Sequence, residues 1–255
     1  MAYSPDVPYF GRWSPTARKA VVALSVVTAF VVVAFVFVLW FHLYGAQIPK
    51  IRAFLNVNGE ANFPAWWNAT LLLAVAFCAL VARFQEPDKA GRRAWLLVAV
   101  AGLLMSMDEI TSLHERMGGL VRSVGINTPT FDWLVLGVVI AAAGSLLLIW
   151  LGRALPRPTR GLLLLALTGY AGGAIVVEAL NGVLREGRIL YYWIGTGVEE
   201  ALEMAACILA IGAVVNHITT RLEPTSSTAI SVRLESPVPR HQTRQPRRTR
   251  TGSQA

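Results

Sequence analysis

Six long apolar blocks, at about 20–44, 65–83, 94–117, 133–152, 161–184 and 191–215, dominate this chain of 255 residues. Each is close to the roughly 20 residues that a helix needs to cross about 30 Å of hydrocarbon. Backbone polar groups inside lipid must bond within their own segment, so the blocks are predicted to be helices. Only 15% of the residues are charged, where a water-soluble domain carries about a quarter. The first block is too long for a cleaved signal peptide, and no convincing small-residue cleavage site comes after it, so it reads as an anchor helix. The two cysteines, Cys78 and Cys207, both fall inside apolar blocks and imply no disulfide framework. The expected fold is an all-α integral membrane protein, a six-transmembrane-helix bundle.

Basic residues give the expected orientation. Arg12, Arg18 and Lys19 precede the first span, Arg83, Lys89, Arg92 and Arg93 lie between the second and third, and Arg153, Arg157 and Arg160 between the fourth and fifth. Seven further arginines come after the sixth span. The opposite loops carry six basic residues: Lys50, Arg52, Arg116, Arg122, Arg185 and Arg188. Both termini are therefore expected in the cytoplasm, with the chain multi-pass in the cell membrane. Residues 1–19 form a cytoplasmic segment, 20–217 the membrane domain and 218–255 a basic tail. The tail is rich in Ser, Thr, Pro, Gln and Arg and cannot bury a core. Its arginines suit the anionic leaflet of the lipid bilayer. Nothing aromatic is interleaved among them, which argues against nucleic acid as a partner.

The acidic residues are the anomaly. Asp108, Glu109 and Glu115 lie in the third span, Glu178 in the fifth, and Glu199, Glu200 and Glu203 in the sixth. A charge at mid-bilayer costs at least about 2.5–3.5 kcal/mol, so such residues tend to be functional. At 1.5 Å per residue, Asp108 is expected roughly 14 Å below the outer end of its span, Glu178 about 9 Å, Glu199 about 12 Å and Glu203 about 18 Å. Three distant segments thus set acids at one level of the outer half, which predicts one water-accessible pocket open to the extracytoplasmic side.

Helical spacing predicts the faces. Asp108, Thr111, Ser112 and Glu115 share one stripe, Glu199 and Glu203 another, and Glu178, Asn181 and Arg185 a third. Glu200 turns about 100° aside, and Glu109 and His114 point away from the Asp108 stripe. So many carboxylates cannot all ionise together in a poor dielectric. Bound cations supply positive charge, or several acids hold protons. A site of Asp108, His114, Glu115, Glu178, Glu199 and Glu203 suits a divalent metal ion such as zinc, iron, manganese, magnesium or calcium. The Glu-x-x-His spacing of di-iron bundles is absent. Glu109, Ser112, Asn181, Glu200 and His42 are further polar candidates. Buried carboxylates also act as glue between helices, and His42 and His114 suit interfacial positions. Gly169 and Gly173 form a small-xxx-small pair expected to pack helices. The first outer loop, about 45–64, carries Asn56, Asn58, Glu60 and Asn62 and is long enough to cover the pocket.

The segments Ser106-x-Asp108-Glu109-x-x-Ser112-x-His114-Glu115 and Glu199-Glu200-x-x-Glu203-Met204 resemble those of an uncharacterised group of small bacterial polytopic membrane proteins. The resemblance covers most of the spans, including Asn62-x-Pro64-x-Trp66, and implies no activity. Glu199-Glu200 also opens like the Glu-Glu-x-x-x-Arg motif of CAAX-type membrane proteases, but position 204 is Met and that family does not fit.

Three functions are expected from these features. One is a metal-dependent enzyme acting on a lipid-like substrate, with Glu199 or Glu203 as general base. The alternatives are a cation- or proton-coupled transporter or channel, and a non-catalytic scaffold subunit. The lack of a polar path through the inner half, and of visible repeats or broken helices, weighs against transport.

Overall fold

The computed structural model describes residues 13–45, 49–57, 59, 61–185 and 187–222. Six helical segments are long and apolar enough to cross a membrane. Helix α1 (Pro15–Tyr44) starts on Ser14, whose hydroxyl accepts from the Ala17 amide, with Pro15 in the first turn where a missing N–H costs nothing. The short α2 (Pro49–Leu55) comes next, in the first loop. Asn62 caps α3 (Phe63–Gln85) and Asp88 caps α4 (Lys89–Thr111). Then come α5 (Leu113–Ser123), α6 (Leu134–Gly152) and α7 (Arg157–Ala171). A π-helical segment, Gly172–Val177, joins α7 to α8 (Glu178–Leu184), and α9 (Ile189–Leu222) ends the bundle.

Helix α9 is the hub, with 61% of its most apolar window buried against 11–22% for α1, α4, α6 and the fifth span. Met204, Cys207, Ile208 and Ile211 pack against Leu71, Leu72 and Val75 of α3, with Val31 of α1 and Ala166 of α7. A second cluster joins Ala79, Ala82, Ala94, Ala99 and Trp95 to Leu155 and Val214. The small residues let α3 and α4 approach closely. A Cβ on Gly102 would stand 3.0 Å from the Leu72 carbonyl oxygen. Lipid offers no hydrophobic drive between helices, so such close contact is what holds the pair. The start of α1 and the end of α9 meet: the Ser14 amide donates to Asn216 Oδ1 at 2.8 Å, and the Thr219 hydroxyl donates to Ser14 Oγ at 2.7 Å. Both ends of the bundle chain therefore lie on one face, as an even number of spans requires.

Two interruptions differ from the expected spans. The third span does not run to 117. It stops at Thr111, and Ser112 takes a left-handed backbone (φ 50°) before α5 sets off. Asp108 is then three residues from the end, roughly 5 Å deep rather than 14 Å. The fifth span, expected as one unbroken helix, contains the π segment. The third and fifth blocks thus both depart from straight α-helix near their acids, one by a turn at Ser112 and the other by π winding. The last helix continues to Leu222, beyond the expected boundary at 217; the rest of the tail and residues 1–12 lie outside the described residues.

Candidate functional site

The acids converge. Glu109, Glu178, Glu199, Glu200 and Glu203 line one polar cavity of about 110 Å³, room for several waters. His114 and Glu115 of α5 stand in the same wall. Asn181, Tyr192 and Thr196 add polar groups, and Phe131 closes a side. Val57 and Gly59 of the first loop form part of the lining. Its Asn58 and Glu60 lie outside the described residues.

The break at Ser112 folds the start of α5 back onto α4. The His114 amide donates to Asp108 Oδ1 and the His114 Nδ1 to Oδ2, each at 2.8 Å. Asp108 thus caps α5 and holds its imidazole, whose ring meets Trp133 edge-on at 4.7 Å. Burial alone would pull the His114 pKa down. The hydrogen bond and charge of Asp108, with Glu178 and Glu115, instead raise it to about 9. His114 is therefore the cationic member of the wall at neutral pH. The reading that turned it away from Asp108 fails because helical spacing does not extend through Ser112.

Three of the chamber's carboxyls are held by neighbouring side chains. Trp133 Nε1 donates to Glu178 Oε1 at 3.3 Å, and Asn181 Nδ2 to Glu199 Oε2 at 2.8 Å. Glu178 and Glu199 are also hydrogen-bonded to each other. Asn68 Nδ2 donates to Glu203 Oε2 at 3.3 Å, and the Tyr170 hydroxyl bonds the same carboxyl. Two glycines make the room. A Cβ on Gly173 would come within 3.0 Å of Glu203 Cγ and 3.1 Å of the Glu199 carbonyl oxygen. One on Gly195 would strike Asn181 Oδ1. Gly169 and Gly173 therefore do pack helices, against Ala206 and the acidic face of α9.

Several expected site residues stand elsewhere. His42 bonds Arg52 at 3.0 Å in a separate small cavity beneath Trp193. Ser112 contributes its backbone turn, and its side chain makes no cap hydrogen bond. Arg185 lies 5.2 Å over the Phe131 ring. Glu109 and Glu200, expected to face aside, line the chamber instead. Among the described residues, no three His, Cys, Asp or Glu side chains are grouped to hold a metal ion. The expected set of Asp108, His114, Glu115, Glu178, Glu199 and Glu203 is divided by its own pairings. Asp108 spends both oxygens on His114, Glu178 and Glu199 bond one another, and Glu203 is held by Asn68 and Tyr170.

Sequence reasoning missed Asn68, Trp133 and Tyr170. Asn68 opens an Asn-Ala-Thr sequence near the start of an apolar block, and Trp133 stands at the edge of another, where aromatic residues are ordinarily interfacial. The usable signal was Asn68 itself, an amide inside an otherwise apolar span. Tyr170 gave none.

These features define a polytopic helical membrane protein built around a carboxylate-lined chamber. The chain belongs to the family described as a domain of unknown function, DUF8692, whose model matches residues 23–218. That stretch holds every chamber residue and ends before the basic tail. No curated protein and no solved structure matches the chain.

Proposed function

We propose that the chamber is an acid–base site that binds a positively charged ligand from one side of the membrane. Its carboxyl groups give up protons as the ligand enters and take them back as it leaves. The observation that carries this reading is the contact between Glu178 and Glu199 in a cavity also lined by Glu109, Glu200 and Glu203. Two carboxyl groups form a hydrogen bond to each other when one of them keeps its proton. Among the described lining residues His114 is the one basic side chain, and it is committed to Asp108. The remaining negative charge calls for protons or an incoming cation.

Glu199 and Glu203 are the proton-carrying groups in this scheme. Asn181 and Asn68 orient them, and the Asp108–His114 pair fixes the mouth. The reading belongs with the cation- and proton-handling class more than with a metal-dependent enzyme, because the carboxyls are tied into pairs rather than arrayed as a ligand set. The π segment Gly172–Val177 contains Gly173, which packs against Glu199 and Glu203, and such π-bulges are frequent at functional sites. The bias of basic residues toward the other end supports an extracytoplasmic chamber mouth.

Dicyclohexylcarbodiimide reacts with protonated carboxyl groups inside membranes and tests the scheme. Adducts located by mass spectrometry are expected on Glu199 or Glu203 at acid pH, fading at alkaline pH. Ethylammonium is expected to protect these sites, and Glu203→Gln to remove its share. Protection by zinc, iron, manganese, magnesium or calcium, with ethylammonium inert, would replace this reading with a metal site. Adducts indifferent to pH and to every cation would end it.

A further inference from the structure

Arg52 of α2 is held in place without an acid. Its Nη1 meets His42 Nδ1 at 3.0 Å, and its guanidinium carbon stands 5.4 Å over the Trp193 ring. An arginine offers donors only, so His42 Nδ1 accepts that bond and carries no proton. Neither partner brings negative charge. The ion pairs among the described residues use Asp108, Asp132 and Glu86 as their acids, and none includes Arg52. The guanidinium is therefore fixed while its charge goes unanswered. Its partial burial makes an anion beside it worth more than in open water.

The surroundings say which anion. Arg52, His42 and Asn56 line a cavity of about 10 Å³, with Trp193 and apolar side chains of α1 completing it. That is close to the room one water needs, so a single oxygen atom fits and nothing larger. His42 comes two residues before the end of α1, roughly 3 Å along the axis, which sets it at the edge of the hydrocarbon. Trp40 and Tyr44 of α1 and Ile51 and Phe54 of α2 are exposed, as side chains are that sit among headgroups and the adjoining acyl carbons. Lys50, also exposed, adds a second positive charge on α2. A phosphodiester set among hydrocarbon matches this surface, whereas a free phosphate ion would leave the apolar side chains uncovered.

We propose that Arg52 seats the phosphate of an anionic phospholipid from the leaflet on the chamber's side. One phosphate oxygen enters the small cavity, and the outer edge of the guanidinium takes a second in the forked geometry that suits arginine and phosphate. The acyl chains stay in the bilayer. A net negative headgroup is preferred to a zwitterionic one, whose ammonium group would lie against Lys50 and Arg52. This seat does not depend on the reading of the chamber, yet it bears on it. Val57 and Gly59 follow α2 in the chain and line the chamber, so a lipid that anchors α2 steadies that part of the wall.

The test uses the full chain, freed of lipid in detergent and offered dioleoylphosphatidylglycerol and dioleoylphosphatidylcholine in equal amounts, with native mass spectrometry as the readout. Phosphatidylglycerol adducts are expected to dominate. Arg52→Ala is expected to weaken them about tenfold, the loss of one charge-assisted contact. Arg52→Lys keeps the charge without the fork and is expected to fall between; it also serves if the alanine variant folds poorly. Arg116→Ala, at an exposed arginine of α5, is expected to change nothing. In membranes, phosphatidylglycerol with a diazirine on its headgroup is expected to crosslink to α2 and to the Tyr44 end of α1, and to lose those crosslinks in Arg52→Ala. Equal adducts in Arg52→Ala and the wild type, or headgroup crosslinks spread evenly around the bundle, overturn the seat. Equal retention of phosphatidylcholine overturns the choice of an anionic lipid. Displacement of the lipid by millimolar inorganic phosphate would make Arg52 a site for a soluble anion and overturn the proposal.

Discussion

Ser112 does at the residue scale what no acid in the chamber does alone: it aims His114. A left-handed backbone costs a residue with a Cβ about 1–2 kcal/mol, and here that strain is what brings the α5 amide and imidazole onto Asp108. Ser112→Gly is expected to keep the fold and gain up to about 1 kcal/mol, while Ser112→Val loses about as much or more. Thermal unfolding in detergent reads the difference; equal melting of the two variants would show that the turn holds no strain. The Asp108–His114 pair has a signed pH dependence. The folded pKa of His114 is raised to about 9, from about 6.5 in the unfolded chain. The pair's contribution is thus complete below about pH 6.5 and is lost as pH rises toward about 9. In Asp108→Asn this alkaline loss should vanish, and histidine-labelled NMR should find His114 titrating lower. An unchanged titration would show that Asp108 does not hold the imidazole's charge.

The elements meet through residues with no side chain to spare. The π segment ends where Glu178 begins, and each extra residue in a turn rotates the downstream side chains by about 100° around the helix. Gly173, inside that segment, lets α9 come close enough to set Glu199 and Glu203 against Glu178. Gly173→Leu must push the helices apart, with an expected cost of about 1–3 kcal/mol. Gly195→Ala should displace Asn181 and free Glu199, seen as increased carbodiimide labelling of Glu199 without loss of fold. If Gly195→Ala leaves that labelling unchanged, Asn181 is not an orienting residue. At the other end of the bundle, Glu86 is buried and ion-paired with Arg221 at 2.9 Å, tying the α3–α4 connection to α9. Removing one partner of a buried pair costs about 3–5 kcal/mol, a ceiling here because Arg221 is a third exposed. Glu86→Gln should therefore lower the melting temperature clearly, and a neutral result would mean the contact is an exposed, screened one.

For the whole molecule, the facing of the bundle is the claim that reaches furthest. The chamber mouth at Glu115 and the end where Ser14 meets Thr219 lie at opposite ends of the membrane domain. The charge bias predicts that a cysteine at position 115 is modified by a membrane-impermeant maleimide from outside intact cells, while one at position 157 is not. The reverse pattern would turn the chamber toward the cytoplasm. Apolar blocks with few charges were sufficient to predict six spans, because the hydrocarbon thickness fixes helix length and forbids unpaired backbone. The same depth arithmetic brought Glu178, Glu199 and Glu203 to one level, since chain length along a straight helix is distance. Which acid faces which partner was beyond the sequence. Helical periodicity carries a face forward only while the winding is unchanged, and the third block turns at Ser112 while the fifth changes to π winding at Gly172–Val177. Beyond those points the directions of His114 and Glu178 were decided by the local backbone and by how closely Gly173 and Gly195 let neighbouring helices pack, which are properties of the assembled bundle.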